Sequence, residues 1–374
     1  MKLDVRRSVR FAGLLVALSL ALSAAASAEK VAVFPPGSQD PRTLNAGLPA
    51  SEVGYHPDES HSWGESWYML AVDEKMNQVW VLLSVSNYGP VKFAGTVDLF
   101  WYGADGTRAS GHVECKKDEI RADLNRMSVN IAGSTLDGKW PTYRLKAKAE
   151  KVAFDLTYAA QTPDMLLGQS RLRFGDAAKD YWTVGVMTPR ANVSGTITIG
   201  GKSFAFQGKG YYDHGRSTVK VPTFSRAWKV LRVIEDDLSI GMMQIEMKPG
   251  YAPAAAPVIW IAQGDKILVN SGAMKLKASG SAQEPRSKIT YPTAFAVDYD
   301  DGKTKLSGTI ELTKMVEGFN VLDRVSLFVR AIIKAFYTDP WQFRAVGKAN
   351  LTLETGGKVR TITSPTVIEL HFYK

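Results

Sequence analysis

The sequence predicts an all-β protein made of two consecutive antiparallel barrels. Three observations lead there. From Trp63 onward the 374-residue chain is a succession of short runs rich in aromatic and β-branched residues. The runs are joined at close spacing by Gly, Asn and Asp turns, as in a meander, and they fall into two successive sets of similar length. A single segment, late in the second set, has the period of a helix instead.

Two segments of different character precede the barrels. Lys2, Arg6, Arg7 and Arg10 precede an apolar run from Phe11 to Leu22, and Ala26-Ser27-Ala28 follows. That is the order of a cleavable signal peptide, expected over residues 1–28. The apolar run is shorter than the roughly 20 residues a spanning helix needs. The expected location is therefore periplasmic or secreted. Residues 29–62 hold Pro35-Pro36, Pro41, Pro49 and Pro57 without a sustained period, and read as an irregular lead-in.

Loss of residues 1–28 removes four basic residues and one acidic residue, so the formal charge of +9 becomes +6. No Lys/Arg stripe with interleaved aromatics accompanies this excess, so nucleic acid is not an expected partner. The single cysteine, Cys115, rules out an internal disulfide framework and leaves stability to the cores. Cys115 itself, within the alternating stretch His112-Val113-Glu114-Cys115-Lys116, reads as a small, half-buried strand residue.

The first barrel is expected over 63–200. Its strands are read at 67–72, 78–86, 95–102, 108–116, 129–132, 143–148, 152–159, 182–187 and 191–199, with a mixed loop over 162–180. Gly200-Gly201 makes a tight hairpin turn into the second barrel, 201–374. There a short strand, 203–208, leads into a loop over 208–224. Further strands follow at 226–235, 238–247, 258–263, 267–269, 273–278, 288–298, 305–313, 342–354 and 359–373.

Between Glu317 and Tyr337, apolar residues fall at Phe319, Leu322, Val325, Phe328, Val329, Ile332, Ile333 and Phe336. Spacings of three and four predict an amphipathic helix over 317–337, capped by Asn320 or Asp323 and stopped by Asp339-Pro340. Its apolar stripe either covers the open end or edge of the second barrel, or meets a membrane surface peripherally beside Arg324, Arg330 and Lys334.

The stretch densest in reactive groups is Gly208-Lys209-Gly210-Tyr211-Tyr212-Asp213-His214-Gly215-Arg216-Ser217, followed by Arg226-Ala227-Trp228-Lys229-Val230-Leu231-Arg232. Glycines, aromatics and Asp-His ahead of a strand with Trp and Arg resemble the signature of the lipocalin-like (calycin) superfamily that includes the carotenoid 1,2-hydratases, or hydroxyneurosporene synthases, and the fungal survival-factor proteins. The early Trp67-Tyr68 and the strand–turn–strand over 93–112 resemble that family's first barrel. The resemblance implies two lipocalin-like barrels and an apolar ligand. In the hydratase branch Asp-His is usually followed by Asn-Trp or Glu-Trp and a glycine, whereas this chain has Gly215-Arg216-Ser217, a departure at the corner where that branch does its chemistry.

The expected function is the binding or carriage of a lipid or isoprenoid-like molecule, with Tyr211, Tyr212, Trp228 and Arg232 as ligand-binding residues. The alternative is a hydratase, cyclase or isomerase in which Asp213, assisted by His214, is the catalytic acid. Burial at a barrel mouth would raise the carboxyl pKa and keep a proton for an alkene, and a ring face would stabilise the resulting cation. A third use of Asp213 and His214 is structural, fixing a crossover between barrels, with Arg232 as a partner.

No cofactor and no metal are expected. His56 and His61 stand with Asp58 and Glu59 in a cluster of no helical zinc spacing, interrupted by Pro57, and read as a solvated loop. Asn192-Val193-Ser194 spells a glycosylation acceptor. A Gly-x-Ser-x-Gly elbow, a phosphate-binding Gly-rich loop and a Cys-x-x-Cys pair are all missing from the sequence.

Overall fold

In a computed structural model, which describes residues 29–37, 40–175, 179–324, 327, 330 and 339–373, the strands gather into two large antiparallel sheets of the same design. The first runs in the order Arg108–Cys115, Val91–Tyr102, Gln78–Tyr88, Gly64–Val72, Lys202–Ser217, Asp180–Ile199, Val152–Ala160, Thr142–Ala149, Ser134–Lys139, Ser128–Ile131 and Ile120–Ala122. The second runs Lys266–Ser271, Ala255–Gln263, Leu238–Met247, Ser225–Ile234, Lys358–Tyr373, Pro340–Thr355, Thr304–Asn320, Ala294–Asp300 and Lys275–Ser279.

Each is a meander whose first and last strands pair, Gly64–Val72 with Lys202–Ser217 and Ser225–Ile234 with Lys358–Tyr373. The ends of each sheet are strands that follow one another in the chain. The first sheet curls into a nearly closed barrel and the second into a half-barrel, so the expected all-β pair of barrel-like units is what the chain forms.

Side chains alternate across each strand, and where the two sheets face each other both faces are covered, whereas strands such as Thr142–Ala149 expose every other residue. Along Gly64–Val72, Trp67, Met69 and Ala71 point into the first barrel, while Leu70 and Val72 join an apolar layer between the sheets. Along Ala255–Gln263, Val258, Trp260 and Ala262 enter that same layer, and Ile259 and Ile261 enter the hollow of the second sheet. This is why the run Val258-Ile259-Trp260-Ile261-Ala262 is apolar at every position rather than at every other one. Three buried layers result: barrel interior, inter-sheet layer and half-barrel hollow.

Three expectations change. The loop expected over 208–224 is strand as far as Ser217, and the division expected between 200 and 201 lies inside a hairpin of the first sheet. The chain passes from the first sheet's long strands to the second sheet's through the short helix Val221–Phe224. Gly208-Lys209-Gly210 reads as loop because of its glycines, yet they serve close packing. A Cβ on Gly210 would come within 2.4 Å of Val193 and 2.7 Å of the Tyr158 ring.

At the other end of the chain, Glu317–Asn320 completes the strand Thr304–Asn320, and Asn320 caps a 3-10 turn, Val321–Asp323, by accepting the Leu322 N–H at 2.8 Å. Most of the helix expected over 317–337 lies outside the described residues, as does the expected signal peptide. The lead-in is also anchored: Asn45 exchanges hydrogen bonds with Ile267 of the second sheet, and Glu29–Ala32 pairs with Leu172–Phe174 and Tyr251–Ala252.

Candidate ligand site between the two sheets

Strand alternation divides the expected site residues between two faces of one sheet. On Lys202–Ser217, Tyr211 and Asp213 project into the inter-sheet layer, while Tyr212 and His214 project into the first barrel. Tyr212 bonds the Met127 sulfur there, and His214 stacks on Trp67 and bonds Glu65. Asp213 and His214 are thus sequence neighbours that share no site. Trp228 and Arg232, four apart on Ser225–Ile234, join Tyr211 and Asp213 from the opposite sheet.

These four line a cavity of about 300 Å³, at the lower end of ligand-pocket volumes. Leu82, Trp182, Val184, Val230, Met243 and Trp260 supply its apolar wall. Trp260 lies flat because its cross-strand neighbour is Gly241, where a Cβ would fall 1.8 Å from the indole. Tyr211 then stacks on that indole, 5.7 Å between centroids at 23°. Trp228 packs edge-on to Trp182 at 5.3 Å and beside His371 at 5.4 Å.

One wall is charged. Arg232, 6% exposed at its side chain, forms an ion pair with Glu369, stands 4.0 Å from Asp213, and lies 4.3 Å from the Tyr211 ring centroid. The Tyr68 hydroxyl donates to Glu369 at 2.8 Å. Burial opposes ionisation of Glu369, but Arg232, His371 and Arg344 prevail and hold its pKa down to about 2. For Asp213 the balance is reversed: burial pushes its carboxyl up to about 7 against the pull of Arg232 and Tyr211.

Burial also lowers Lys220 to about 7; its ammonium donates to the Trp63 carbonyl at 3.1 Å at the cavity border. Arg344 stacks 3.8 Å from Phe100 and 4.4 Å from Trp80 and donates to the Tyr102 hydroxyl at 2.8 Å. Among the described residues, Trp228 Nε1, Trp260 Nε1, Arg232 Nε and His371 Nδ1 have no hydrogen-bond partner although buried. An unmet polar atom of this kind costs about 1–3 kcal/mol, so these suit a ligand with polar atoms of its own.

Sequence reading missed Tyr68, Trp260, Arg344, Glu369 and His371. Arg344 and Glu369 had a local signal, a lone charge inside an apolar run (Phe343-Arg344-Ala345-Val346 and Val367-Ile368-Glu369-Leu370). Nothing local pairs Tyr68 with a carboxylate 301 positions away.

Comparison with known proteins agrees with this architecture. Ceramide-binding protein svf1 of Aspergillus fumigatus is 25% identical over 241 residues, covering 61% of this chain; the chain spans 59% of that relative's length. A Nitrosomonas europaea protein of the AttH type superposes over 92% of this chain and 100% of its own, at a TM-score of 0.58 and 14% identity. Kievitone hydratase of Nectria haematococca does so over 91% and 98%, at a TM-score of 0.55 and 13% identity. At these identities the two structures share the fold. The resemblance to the lipocalin-like superfamily of hydratases and survival-factor proteins is borne out, and a family model described as AttH-like matches residues 98–318. That is more than half of the sequence, and the chain belongs to the AttH-like family.

Proposed function

We propose that this protein binds and carries an amphiphilic lipid, held between the two sheets, and that its first 28 residues direct it out of the cytoplasm. The observation that carries the reading is the inter-sheet cavity itself, aromatic and aliphatic on most sides with one wall of charged and hydrogen-bonding groups. An alkyl chain suits the first surface and a polar head the second. The fungal relative named for ceramide binding supports a lipid with hydroxyl and amide groups, which would meet the unpartnered N–H donors of Trp228 and Trp260.

The test is purification of the untagged protein under non-denaturing conditions, lipid extraction and mass spectrometry. A stoichiometric amphiphile is expected, together with a mature N-terminus after Ala28. Protein free of lipid that also fails to take up ceramide from vesicles would refute the carrier role, and an intact Met1 would refute export.

A further inference from the structure

On the barrel face of the first sheet, opposite the face that carries Asp213, two imidazoles and a carboxylate converge from three segments: His56 of the lead-in, Glu65 of Gly64–Val72 and His214 of Lys202–Ser217. One ligand atom from each of the three side chains lies within 4.8 Å of the other two. The Glu65 and His214 side chains are fully buried. Among the described residues Glu65 has no lysine or arginine in ion-pair range, only the two histidines.

Proton positions make the cluster unusual. His56 Nε2 lies 2.6 Å from the Ser51 carbonyl, an acceptor only, so this nitrogen carries the hydrogen. In neutral His56 the lone pair is then on Nδ1, and it faces Glu65 Oε1 at 3.3 Å. Two acceptors face each other across that gap, an arrangement that a bridging hydrogen or a metal ion satisfies. His214 Nε2 addresses the same oxygen at 2.6 Å, while its Nδ1 is buried without a partner.

We propose that His56, Glu65 and His214 form a binding site for a divalent transition metal of the zinc class. The donor set, two imidazole nitrogens and one carboxylate oxygen, is one that zinc accepts, with bonds of about 2.0–2.2 Å and hence separations of about 3.3 Å between tetrahedral ligands. The gap from His56 to Glu65 already has that width, and the gap from His214 to Glu65 opens by about 0.7 Å on binding. The Ser51 carbonyl is the outer partner that fixes the His56 tautomer and aims Nδ1 inward. Bound there, the ion ties the lead-in to two barrel strands. His61, the histidine that sequence spacing set beside His56, is not part of this group.

The proposal does not rest on lipid binding, although Glu65 also borders the inter-sheet cavity, and its test needs no lipid. Zinc is titrated calorimetrically into untagged protein stripped with chelator, and X-ray absorption spectra are taken of the zinc-loaded wild-type chain. One zinc per chain is expected, with two imidazoles and a carboxylate in its shell. Glu65→Gln and His214→Ala each weaken binding at least 100-fold, while His61→Ala leaves it unchanged. Absence of saturable binding, a shell without two imidazoles, or full affinity in folded Glu65→Gln protein would overturn the proposal. The spectrum of the wild-type chain decides the matter even if a variant fails to fold.

Discussion

Replacing Glu369 with Gln removes the charge that neutralises Arg232 inside the inter-sheet layer while keeping the side chain's shape. The Glu369 pKa is held at about 2, against an ordinary 4.5. That difference corresponds to roughly 3 kcal/mol of stability at neutral pH, using about 1.36 kcal/mol per unit. Breaking one partner of a buried ion pair costs about 3–5 kcal/mol, a consistent range. The lower end applies because Asp213, 4.0 Å from Arg232 and with its carboxyl pushed up to about 7 by burial, remains as a partly ionised second counter-charge at neutral pH.

At about 2.1 cal/mol/K per residue, a chain of this size loses about 4 °C of melting temperature for about 3 kcal/mol. The sign with pH follows from the depressed folded-state value. The Glu369 contribution is fully present above pH 4.5 and is lost as pH falls toward 2, so the gap between parent and variant narrows steadily below pH 4.5. Thermal unfolding followed by circular dichroism at pH 7, 5, 4 and 3 measures this. A gap under 1 °C at pH 7, or one of unchanged size at pH 3, would show that Glu369 does not stabilise the fold by neutralising Arg232.

Other substitutions probe the same layer. Gly241→Ala places a methyl 1.8 Å from the Trp260 ring, so it should destabilise by about 1–3 kcal/mol and weaken the near-ultraviolet signal of the Tyr211–Trp260 stack; an unchanged spectrum would count against the packing described. Lys220→Met removes an ammonium whose folded-state pKa is lowered to about 7 by burial. Charging it is costly below pH 7, and the cost fades toward pH 10.5. The variant should therefore melt above the parent at pH 6, with an advantage that shrinks by pH 10, as scanning calorimetry can check. Asp213→Asn should leave lipid uptake within a few-fold if the protein is a carrier, measured by transfer from fluorescent-lipid vesicles; loss of turnover of an added polyene in this variant would instead favour the acid-catalysis alternative.

Much of the fold was legible because strand texture is local. The turns at Asp105-Gly106 and Gly200-Gly201, and alternation such as Val152-Ala153-Phe154-Asp155-Leu156, announce hairpins without reference to the rest of the chain. The site was legible only in half. Tyr211, Asp213, Trp228 and Arg232 meet as the dense stretch suggested, but the loop expected there is strand, and period two sends Tyr212 and His214 to the barrel interior. The cavity is also not inside either barrel. Its walls come from strands as distant as Gly64–Val72 and Lys358–Tyr373, and their meeting depends on the way two sheets stack, which no local pattern encodes. Runs apolar at every position, such as Val258-Ile259-Trp260-Ile261-Ala262, were the available hint that a second sheet covers the first.

Ceramide binding by the parent and by Val184→Trp determines whether the lipid sits between the two sheets. Val184 is 6% exposed and lines the cavity, so an indole there occupies the space assigned to the lipid and, because it grows into open volume, costs less than the about 1–3 kcal/mol of ordinary overpacking. In a fluorescence titration the parent should saturate at one lipid per chain and the variant should bind at least tenfold more weakly while remaining folded. Equal affinity in the folded variant would place the lipid elsewhere and contradict the account.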